Sequence, residues 1–413
     1  MRRVLITGMG LVSPIGNTIE DAWQSIEQGR SGIRTIDHFD TEAYKVKLAA
    51  QVKDLDIHPF TPRDFRFNDR FVQFARIASH QAWQDSGLSS NRMDMDRVGV
   101  MIGSGIGGIE TIEKCENALK DRGPSRVSPY FIPMSLINLA AGSVAIDLQA
   151  QGNCQSIVTA CASGTNAIGE AFHRISQGLE DCIVAGGSEA SITPLSVAGF
   201  QSMRALHTGT DPNRASIPFD KERSGFVMGE GAGILILEEY EHAIRRNAKI
   251  YGEIIGYGST CDAHHITAPL EDGAGAAKAM KQAVKEAKIS LEQMDYINAH
   301  GTSTSLNDRM EILAIRSVFG SVSTSIPISS TKSYTGHCLG ASGAVESVLC
   351  LLSMYHNTIP MTLNLQNKDE ECNLDVVMTE HRKKDLDVVM NNSFGFGGHN
   401  ASLIFKKWKG EDL

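Results

Sequence analysis

The sequence of 413 residues lacks any uninterrupted apolar run of about eighteen residues, the length that an α-helix needs to cross a membrane. It also lacks a C-x-x-C pair, and its eight cysteines are scattered, which argues against both a disulfide framework and a zinc site. The apolar stretch after Arg2 and Arg3 is broken by Gly8 and has no small-residue cleavage site. We interpret it as a first β-strand and expect a cytoplasmic protein that does not bind membranes.

Proline is scarce, with 12 residues, and no low-complexity linker separates the chain into independent pieces. A content of 42% hydrophobic and 21% charged residues is typical of a globular protein with a sizeable core. The net charge of −9 disfavours broad nucleic-acid binding, although it leaves room for a local basic patch.

Buried strands and amphipathic helices alternate along the chain. Short apolar runs followed by glycine-containing turns predict strands, and segments with a helical period predict helices between them. This alternation predicts an α/β fold with largely internal sheets. The predicted strands cover residues 4–7, 98–102, 182–185 and 233–237, and the predicted helices cover residues 69–84, 161–177 and 274–287.

A short internal repeat suggests duplication. Ala162-Ser163-Gly164 opens a predicted helix in the first half of the chain, and Ala341-Ser342-Gly343 opens a similar one in the second. Three matched small residues are weak support, because such residues are common wherever helices pack closely. We expect two halves, residues 1–250 and 251–413.

One glycine-rich loop invites a nucleotide-binding interpretation. The segment from Gly103 to Gly108 satisfies G-x-G-x-x-G after a predicted strand. The acidic residue expected at the end of a second strand is absent, so tight turns and close packing explain these glycines better. We therefore expect no nucleotide cofactor.

Cys161 is the first candidate for chemistry. It lies between Ala160 and Ala162, where an apolar strand ends and a helix begins. A thiol at a helix N-terminus lies close to unpaired backbone N–H groups, which favour the thiolate and can also bind a developing oxyanion. The segment alone fits a buried structural cysteine equally well.

Two histidines favour the catalytic interpretation. His300 and His337 each stand beside glycine at a predicted strand-to-loop transition. Neutral imidazoles can donate hydrogen bonds to an enolate oxygen without adding a charge. Lys332 lies close to His337 in the sequence and can hold local charge balance with Asp308, Glu311 or Glu346.

Three segments around these residues resemble the active-site blocks of the β-ketoacyl-(acyl carrier protein) synthases: residues 159–164, 298–304 and 331–337. The resemblance covers nearly the whole chain, including residues 218–231 and 392–398, and is nearest to the type II elongating enzymes. It implies the thiolase fold, a five-layered αβαβα arrangement of two duplicated halves, and a homodimer. It also implies decarboxylative Claisen condensation, with no metal or organic cofactor.

The resemblance implies a role for each matched position. Cys161 would be the acylated nucleophile, and His300 and His337 would promote decarboxylation, supported by Lys332 in a network with Glu346. Phe396 would be a gate whose backbone N–H joins that of Cys161 in an oxyanion hole. Side chains assigned to the substrate would line the acyl pocket or hold the pantetheine arm; these are Ile106, Phe200, Thr302, Thr304 and, in the charged network, Glu346.

Basic residues in matched positions would dock an acidic acyl carrier protein, and they are Arg63, Arg66, Arg126 and Arg204. Such a patch on an acidic protein would steer an acidic partner. Several positions depart from the family pattern and leave the pathway open. These are Phe67 and Ser125 in place of basic residues, Ile217 for arginine, Ser224 for an acid, Ser305 for proline and His399 for threonine.

The leading hypothesis is therefore a 3-oxoacyl-[acyl-carrier-protein] synthase of fatty acid elongation. A ketosynthase of a specialised polyene or polyketide pathway is the main alternative. A thiolase acting on coenzyme A esters would need a second catalytic cysteine, whose position is occupied by the glycine loop of residues 394–400. A non-catalytic chain-length partner subunit would lack the nucleophile, and Cys161 argues against it.

Overall fold

A computed structural model describes residues 1–410, so the last three residues of the predicted second half lie outside the described part. Fifteen β-strands are present in these residues. They are β1 (Val4–Val12), β2 (Ile33–Thr35), β3 (Leu48–Ala50), β4 (Val98–Gly103), β5 (Cys154–Gln155), β6 (Cys182–Glu189), β7 (Gly231–Glu239), β8 (Gly252–Cys261), β9 (Tyr296–Asn298), β10 (Pro327–Ser329), β11 (Thr358–Ile359), β12 (Asp375–Val376), β13 (Arg382–Lys383), β14 (Val388–Gly395) and β15 (His399–Lys407).

Twelve α-helices connect them within the same residues. They are α1 (Ile19–Glu27), α2 (Arg70–Ser86), α3 (Ile109–Arg122), α4 (Phe131–Ser135), α5 (Leu139–Leu148), α6 (Ser163–Ser176), α7 (Pro194–Ser202), α8 (Tyr240–Arg245), α9 (Ala274–Ala287), α10 (Ser305–Phe319), α11 (Lys332–Thr335) and α12 (Ser342–His356). Among the helices of residues 1–410, none combines the length and the apolar character that a membrane span requires.

The main sheet repeats one strand order twice. In the first half the neighbours run β1-β7-β6-β4-β5, and in the second half they run β8-β15-β14-β9-β10, followed by β12. The pairing directions also match, because the first two pairs of each set are antiparallel and the next two are parallel. The two sets join where β1 pairs with β8. This repeat confirms the expected α/β fold of two similar halves; the boundary at residue 250 itself stays a prediction.

Helices separate the two sets of strands into layers. α2 and α5 pack on the outer face of the first set, and α9 and α10 pack on the outer side of the second. α6 and α12 lie in the middle, since α6 contacts β6 as well as β15 and α12 contacts both β7 and β14. Three apolar clusters fill the spaces between these layers. The result is the five-layered arrangement that the sequence resemblance implies.

The predicted elements lie where expected, but several boundaries differ. β1 continues through Gly8 and Gly10 because α2 packs directly against them. A Cβ at Gly8 would lie 2.3 Å from the carbonyl oxygen of Ala82, and one at Gly10 would lie 1.9 Å from that of Ala78. The helix predicted from residue 161 begins at Ser163 instead, and this difference determines the geometry of the site.

Candidate active site

Cys161 lies in a tight turn immediately before the central helix α6. Residues Ala160–Ala162 form a single 3-10 turn, and Ala160 adopts a positive φ of 49°. This left-handed conformation is uncommon for a residue with a side chain, and the turn presents Cys161 at the end of the helix. The same turn recurs before α12, where Leu339 has a φ of 47°. The repeat noticed in the sequence is therefore a repeat of local structure.

The thiol opens into a cavity of about 370 Å³. This cavity, hereafter the catalytic pocket, is shared by the nucleophile candidate and both histidine candidates, although they lie far apart in the sequence. Phe394 and Phe396, at the end of β14, form another wall. The fold thus brings Cys161, His300 and His337 together.

The Cys161 thiol has a raised pKa, whereas the sequence predicted surroundings that favour the thiolate. Burial raises the pKa of the Cys161 thiol to about 12, and the nearby charge of Lys332 lowers it only in part. The backbone N–H groups of Phe396 and Cys161 also point at the sulfur and act in the same direction as Lys332. The predicted lowering of the pKa is wrong because Cys161 precedes the helix in an enclosed pocket, where loss of hydration outweighs these donors.

His300 is oriented from both ends. Its backbone N–H donates to Glu311 Oε1 at 2.8 Å, and the neighbouring N–H of Gly301 donates to Oε2 at 2.8 Å. Its ring Nδ1 lies 3.3 Å from Lys332 Nζ. A lysine ammonium can only donate, so Nδ1 accepts and the proton of the neutral ring resides on Nε2.

His337 has an equivalent arrangement on the second side of the pocket. Its Nδ1 lies 2.8 Å from the hydroxyl oxygen of Ser342, the first residue of α12. If that hydroxyl donates to Nδ1, the remaining proton again lies on Nε2. The rings of His300 and His337 are 5.3 Å apart and nearly perpendicular.

Both histidines are held in the neutral form. Burial lowers the pKa of His300 and of His337 well below the usual value, and the positive charge of Lys332 lowers both further. Each side chain is almost fully buried in protein. Two neutral imidazoles in one pocket provide two uncharged N–H donors.

Lys332 carries the positive charge near these rings. Its Nζ donates to Glu346 Oε1 at 2.5 Å, and both side chains are almost fully buried. Burial raises the pKa of Glu346 to about 7, while Lys332 acts in the opposite direction. Neither Glu346 nor Lys332 is among the residues that line the catalytic pocket, and Glu346 contacts Lys332 directly. The pairing with Lys332 is the one the sequence predicts, and the assignment of Glu346 to substrate binding stays a prediction.

Two buried carboxylates that fix the pocket were not assigned this role from the sequence. Glu311 holds the loop of His300, as described above. Glu189, the last residue of β6, accepts hydrogen bonds from the backbone N–H of Gly105 at 2.7 Å and of Gly340 at 3.1 Å. Glu189 thus joins the loop after β4 to the turn before α12. An acid at the end of an otherwise apolar buried strand was the signal that could have identified it.

Comparison with known proteins assigns this arrangement to a family. The family model for "Beta-ketoacyl synthase, N-terminal domain" matches residues 1–243, and that for "Beta-ketoacyl synthase, C-terminal domain" matches residues 251–366. The chain belongs to the β-ketoacyl synthase family.

Individual relatives cover the whole chain. A protein of Synechocystis sp. named 3-oxoacyl-[acyl-carrier-protein] synthase 2 is 50% identical over 410 residues, which is 99% of each chain. A β-ketoacyl synthase from Burkholderia phymatum has a crystal structure with a TM-score of 0.92 at 35% identity, covering 99% of this chain and 100% of that one. A ketosynthase bound to a hexaketide and in complex with its type II PKS acyl-carrier protein gives the same TM-score, identity and coverage.

The side chains assigned to the substrate in this β-ketoacyl synthase occupy two places. Phe200, Thr302 and Thr304 line the catalytic pocket, and the two threonine hydroxyl oxygens lie 2.9 Å apart. Ile106 lies outside that lining and, like Cys161 and Phe200, packs against a cluster of buried apolar side chains. A role in substrate binding for these four side chains stays a prediction.

The arginines assigned to carrier docking are all exposed, but they do not share one cavity. Arg204 lines the catalytic pocket. Arg66 lines a separate surface cavity, where its guanidinium lies 5.2 Å from the ring of Phe67. Arg63 and Arg126 line neither cavity. A common docking function for the four stays a prediction.

Three of the positions that depart from the family pattern form hydrogen bonds or close contacts with their neighbours. Ile217 is buried, and its backbone N–H donates to Ser303 Oγ at 3.0 Å. Ser224 is 2.8 Å from His207 Nδ1 and lies at the mouth of the catalytic pocket. The side chain of His399 folds toward Gly397, since a Cβ there would lie 3.1 Å from its ring. None of these changes alters the Cys161, His300 and His337 set.

Proposed function

We propose that this chain is a 3-oxoacyl-[acyl-carrier-protein] synthase that extends an acyl thioester by two carbons. The observation that carries the proposal is a single pocket that holds one thiol, Cys161, and two neutral histidines, His300 and His337. The relatives named 3-oxoacyl-[acyl-carrier-protein] synthase 2 support the choice of substrate.

In the first half-reaction the acyl group of a carrier-bound thioester is transferred to the sulfur of Cys161. The sulfur attacks the carbonyl, the bond to the pantetheine sulfur breaks, and the proton of Cys161 passes to the departing pantetheine thiolate. The backbone N–H groups of Cys161 and Phe396, which already point at the sulfur, are placed to stabilise the oxyanion of this step. The apolar cluster with Ile106 and Phe200 receives the acyl chain.

In the second half-reaction a malonyl thioester loses CO2. The electron pair of the broken carbon–carbon bond becomes an enolate, whose oxygen accepts hydrogen bonds from Nε2–H of His300 and His337. Neutral donors suit this role because they bind the enolate without protonating it fully. Burial holds the pKa of both rings low, and the charge of Lys332 adds to this effect.

The enolate carbon then attacks the acyl group on Cys161. A carbon–carbon bond forms, the sulfur of Cys161 leaves with its electron pair, and the resulting thiolate takes up a proton from solvent. The product is a 3-oxoacyl thioester, two carbons longer, on the carrier's pantetheine arm. Thr302 and Thr304, whose side chains line the pocket, would hold that arm.

A ketosynthase of a polyketide pathway is the second candidate. The solved ketosynthase with its type II PKS acyl-carrier protein and a bound hexaketide favours it, since its fold superimposes with a TM-score of 0.92. The higher identity of the 3-oxoacyl-[acyl-carrier-protein] synthases, 50% against 35%, favours fatty acid elongation. In either pathway the partner is an acyl carrier protein.

We also propose that the enzyme is a cytoplasmic homodimer. The eight cysteines are all free thiols, as is common in a reducing compartment. The edge strand β5 is exposed and lies in a segment rich in exposed apolar side chains, which a second copy would cover.

Intact-mass analysis tests the proposal. The protein is incubated with acyl carrier proteins that bear acyl groups of several lengths, and then with malonyl carrier protein. We expect one acyl adduct on Cys161, which disappears as a product two carbons longer forms. The preferred acyl group distinguishes fatty acid elongation from a polyketide pathway.

Cys161→Ala is the matched control, because it removes only the sulfur from a turn whose neighbours are also alanines. It should form no adduct while keeping the melting temperature of the parent. Condensation by Cys161→Ala at the parental rate would show that another residue is the nucleophile. No adduct on the parent protein with any carrier-bound acyl group would overturn the proposal.

A further inference from the structure

Glu189 is a fully buried carboxylate on which three segments of the chain converge. Its Oε2 accepts the backbone N–H of Gly105, in the loop after β4, at 2.7 Å and that of Gly340, in the turn before α12, at 3.1 Å. One oxygen atom therefore joins this loop to this turn. Further donors reach Oε1 at 3.0 to 3.3 Å, and they are the hydroxyls of Ser104 and Ser191 and the backbone N–H groups of Ile106 and Gly107.

These partners indicate that Glu189 is ionised. Most of them are backbone N–H groups, which can only donate and so suit a carboxylate rather than a protonated acid. Burial raises the pKa of Glu189, and the hydrogen bonds act in the opposite direction. All of these partners are uncharged, so the negative charge also acts on its surroundings. It raises the pKa of the Cys161 thiol and opposes the effect of Lys332 there.

The loop and the turn meet backbone to backbone at this carboxylate. A Cβ at Gly340 would lie 2.2 Å from the backbone nitrogen of Gly105 and 2.8 Å from Glu189 Oε2. No side chain fits between the two segments at this point. Leu339, in the same turn as Gly340, lines the catalytic pocket. The position of one wall of the pocket thus depends on the turn that Glu189 holds.

The same loop is joined to the turn of Cys161. The Ser163 hydroxyl oxygen lies 3.4 Å from the carbonyl oxygen of Ser104 and 2.7 Å from that of Ala160. The turn of Cys161 also packs directly against the turn before α12. A displacement of the loop or of the turn before α12 would therefore change the surroundings of the sulfur.

We infer that Glu189 is a positioning residue for acyl transfer, which holds the loop of residues 104–107 and the turn of residues 339–341 against the turn of Cys161. This inference rests on the proposed function, in which Cys161 accepts the acyl group. Glu189 is not among the residues that line the catalytic pocket, so it acts through these two segments. A misplacement of about 1 Å can slow a reaction on the order of a hundredfold.

Two substitutions separate the charge of Glu189 from its reach. Glu189→Gln keeps the length of the side chain but removes the charge and turns an amide NH2 toward N–H donors. Glu189→Asp keeps the charge but is one methylene shorter, so it cannot join the loop and the turn together. Both should slow acyl transfer to Cys161 by about tenfold to a hundredfold, with KM for the acyl carrier protein near that of the parent. Quenched-flow mass analysis over a range of carrier concentrations measures both quantities.

Alkylation of Cys161 by iodoacetamide gives a second readout, which a general loss of stability would not move. The thiolate is the reacting form, and Glu189→Gln removes a negative charge that disfavours it. Alkylation of this variant near pH 8 should therefore be about threefold faster than in the parent, whereas Glu189→Asp should keep the parental pH dependence. The other groups that face the sulfur are unchanged in both variants, and they are Lys332, His300, His337 and the backbone N–H groups of Cys161 and Phe396.

Glu238→Gln is the matched control. Glu238 is equally buried but lies at the opposite edge of the sheet, because it pairs with Cys182, the first residue of β6, whereas Glu189 is the last. Its Oε2 lies 2.6 Å from Arg246 Nη2, so the substitution should lower the melting temperature. Acyl transfer and alkylation of Cys161 should stay parental in this variant.

Ser104→Ala is a milder change that deletes one donor to Glu189, for use if the Glu189 variants do not fold. It should slow acyl transfer by about threefold, in line with the loss of one hydrogen bond to a charged group.

Parental acyl transfer by Glu189→Gln or Glu189→Asp would overturn the inference, as would parental transfer by Ser104→Ala if it alone folds. An equal loss in Glu238→Gln would also overturn it, because Glu189 would then contribute only to stability. Alkylation of Glu189→Gln with the parental rate and pH dependence would contradict it as well, since a displaced loop or a removed charge would each alter the sulfur. A parent protein that is alkylated at Cys161 but forms no acyl adduct would overturn the proposed function instead.

Discussion

At the scale of single residues, the site is organised around one buried positive charge. Lys332 donates to His300 and is paired with Glu346, and its charge adds to the effect of burial in lowering the pKa of both histidines. The lysine need not touch substrate to matter. It sets the tautomer of His300 and, together with burial, disfavours protonation of both rings, so that they can donate hydrogen bonds without carrying a charge.

This charge predicts an unusual pH dependence for decarboxylation. A histidine whose pKa is lowered stays neutral as pH falls through 6.5, the usual value, and becomes protonated only well below it. We expect CO2 release from malonyl carrier protein to keep its rate from pH 8 down through that region. The measurement is the rate of CO2 release against pH, with folding followed by circular dichroism.

Lys332→Met provides the comparison. Removing the charge removes one cause of the lowered pKa values, so the loss of rate at acid pH should move to higher pH than in the parent. Burial remains as the larger cause, and the shift should therefore be partial. An inflection near pH 6.5 in the parent enzyme would contradict this account of the two histidines.

The residues found from the sequence and those missed differ in a physical way. Cys161, His300 and His337 each stand beside small residues, a pattern that is visible along the chain. The predicted strand end is correct for His300, which follows β9, but wrong for the other two, because an irregular segment after β5 leads to Cys161 and helix α11 precedes His337. Their supports, such as Glu189 and Glu311, act through backbone N–H groups that folding brings within reach. The raised pKa of Cys161 also depends on the enclosing walls, which no local pattern records.

At the scale of elements, the two central helices are placed by the same structural unit. Each of α6 and α12 follows a 3-10 turn that contains one residue of positive φ. The helices approach closely, since a Cβ at Gly343 would lie 1.8 Å from Thr165 Oγ1. The glycine in each Ala-Ser-Gly repeat permits this contact, which explains why the repeat is visible in the sequence at all.

The end of β14 packs against the turn of Cys161, and this contact can be tested. A Cβ at Gly395 would lie 2.8 Å from the carbonyl oxygen of Thr159 and 3.0 Å from the backbone nitrogen of Cys161. Gly395→Ala should therefore push the Phe396 loop away from the sulfur. We expect acyl transfer to slow by about tenfold to a hundredfold, approaching the loss of one oxyanion donor. Stopped-flow measurement of adduct formation reports the rate.

Gly142→Ala is the matched control, because a Cβ there meets only Leu139 Cδ1 at 4.0 Å. It lies inside α5, where alanine is the better helix former, so it should keep both the rate and the stability. An unchanged rate in Gly395→Ala would show that the loop after β14 does not set the geometry at Cys161.

At the scale of the whole molecule, the sequence predicted the class of fold but not how the halves join. Alternating strands and helices indicated an α/β fold, and the Ala-Ser-Gly repeat suggested duplication. The matching strand order of the two halves became visible only in three dimensions, because β8 and β15 pair across many intervening residues. The pairing of β1 with β8 that links the halves has no local signature either.

The exposed apolar surface is unevenly distributed over the molecule. Of the large apolar side chains that are exposed in the described chain, nearly half fall between Ile112 and Val158. The same segment contains the edge strand β5, both of whose residues are exposed. An unpaired edge beside an apolar surface is a liability that proteins normally cover, and a second copy of the chain can cover both at once.

The proposed homodimer can therefore be tested through this segment. Ile132 and Ile146 are its two most exposed aliphatic side chains, at 59% and 77%. The double change Ile132→Glu and Ile146→Glu places two like charges on a surface that two copies would share, and should convert the dimer to a monomer. Sedimentation equilibrium measures this directly, with Tyr355→Glu, at an exposed position outside the segment, as the control. A double variant that remains dimeric would place the interface elsewhere, and a parent protein that sediments as a monomer would rule the dimer out.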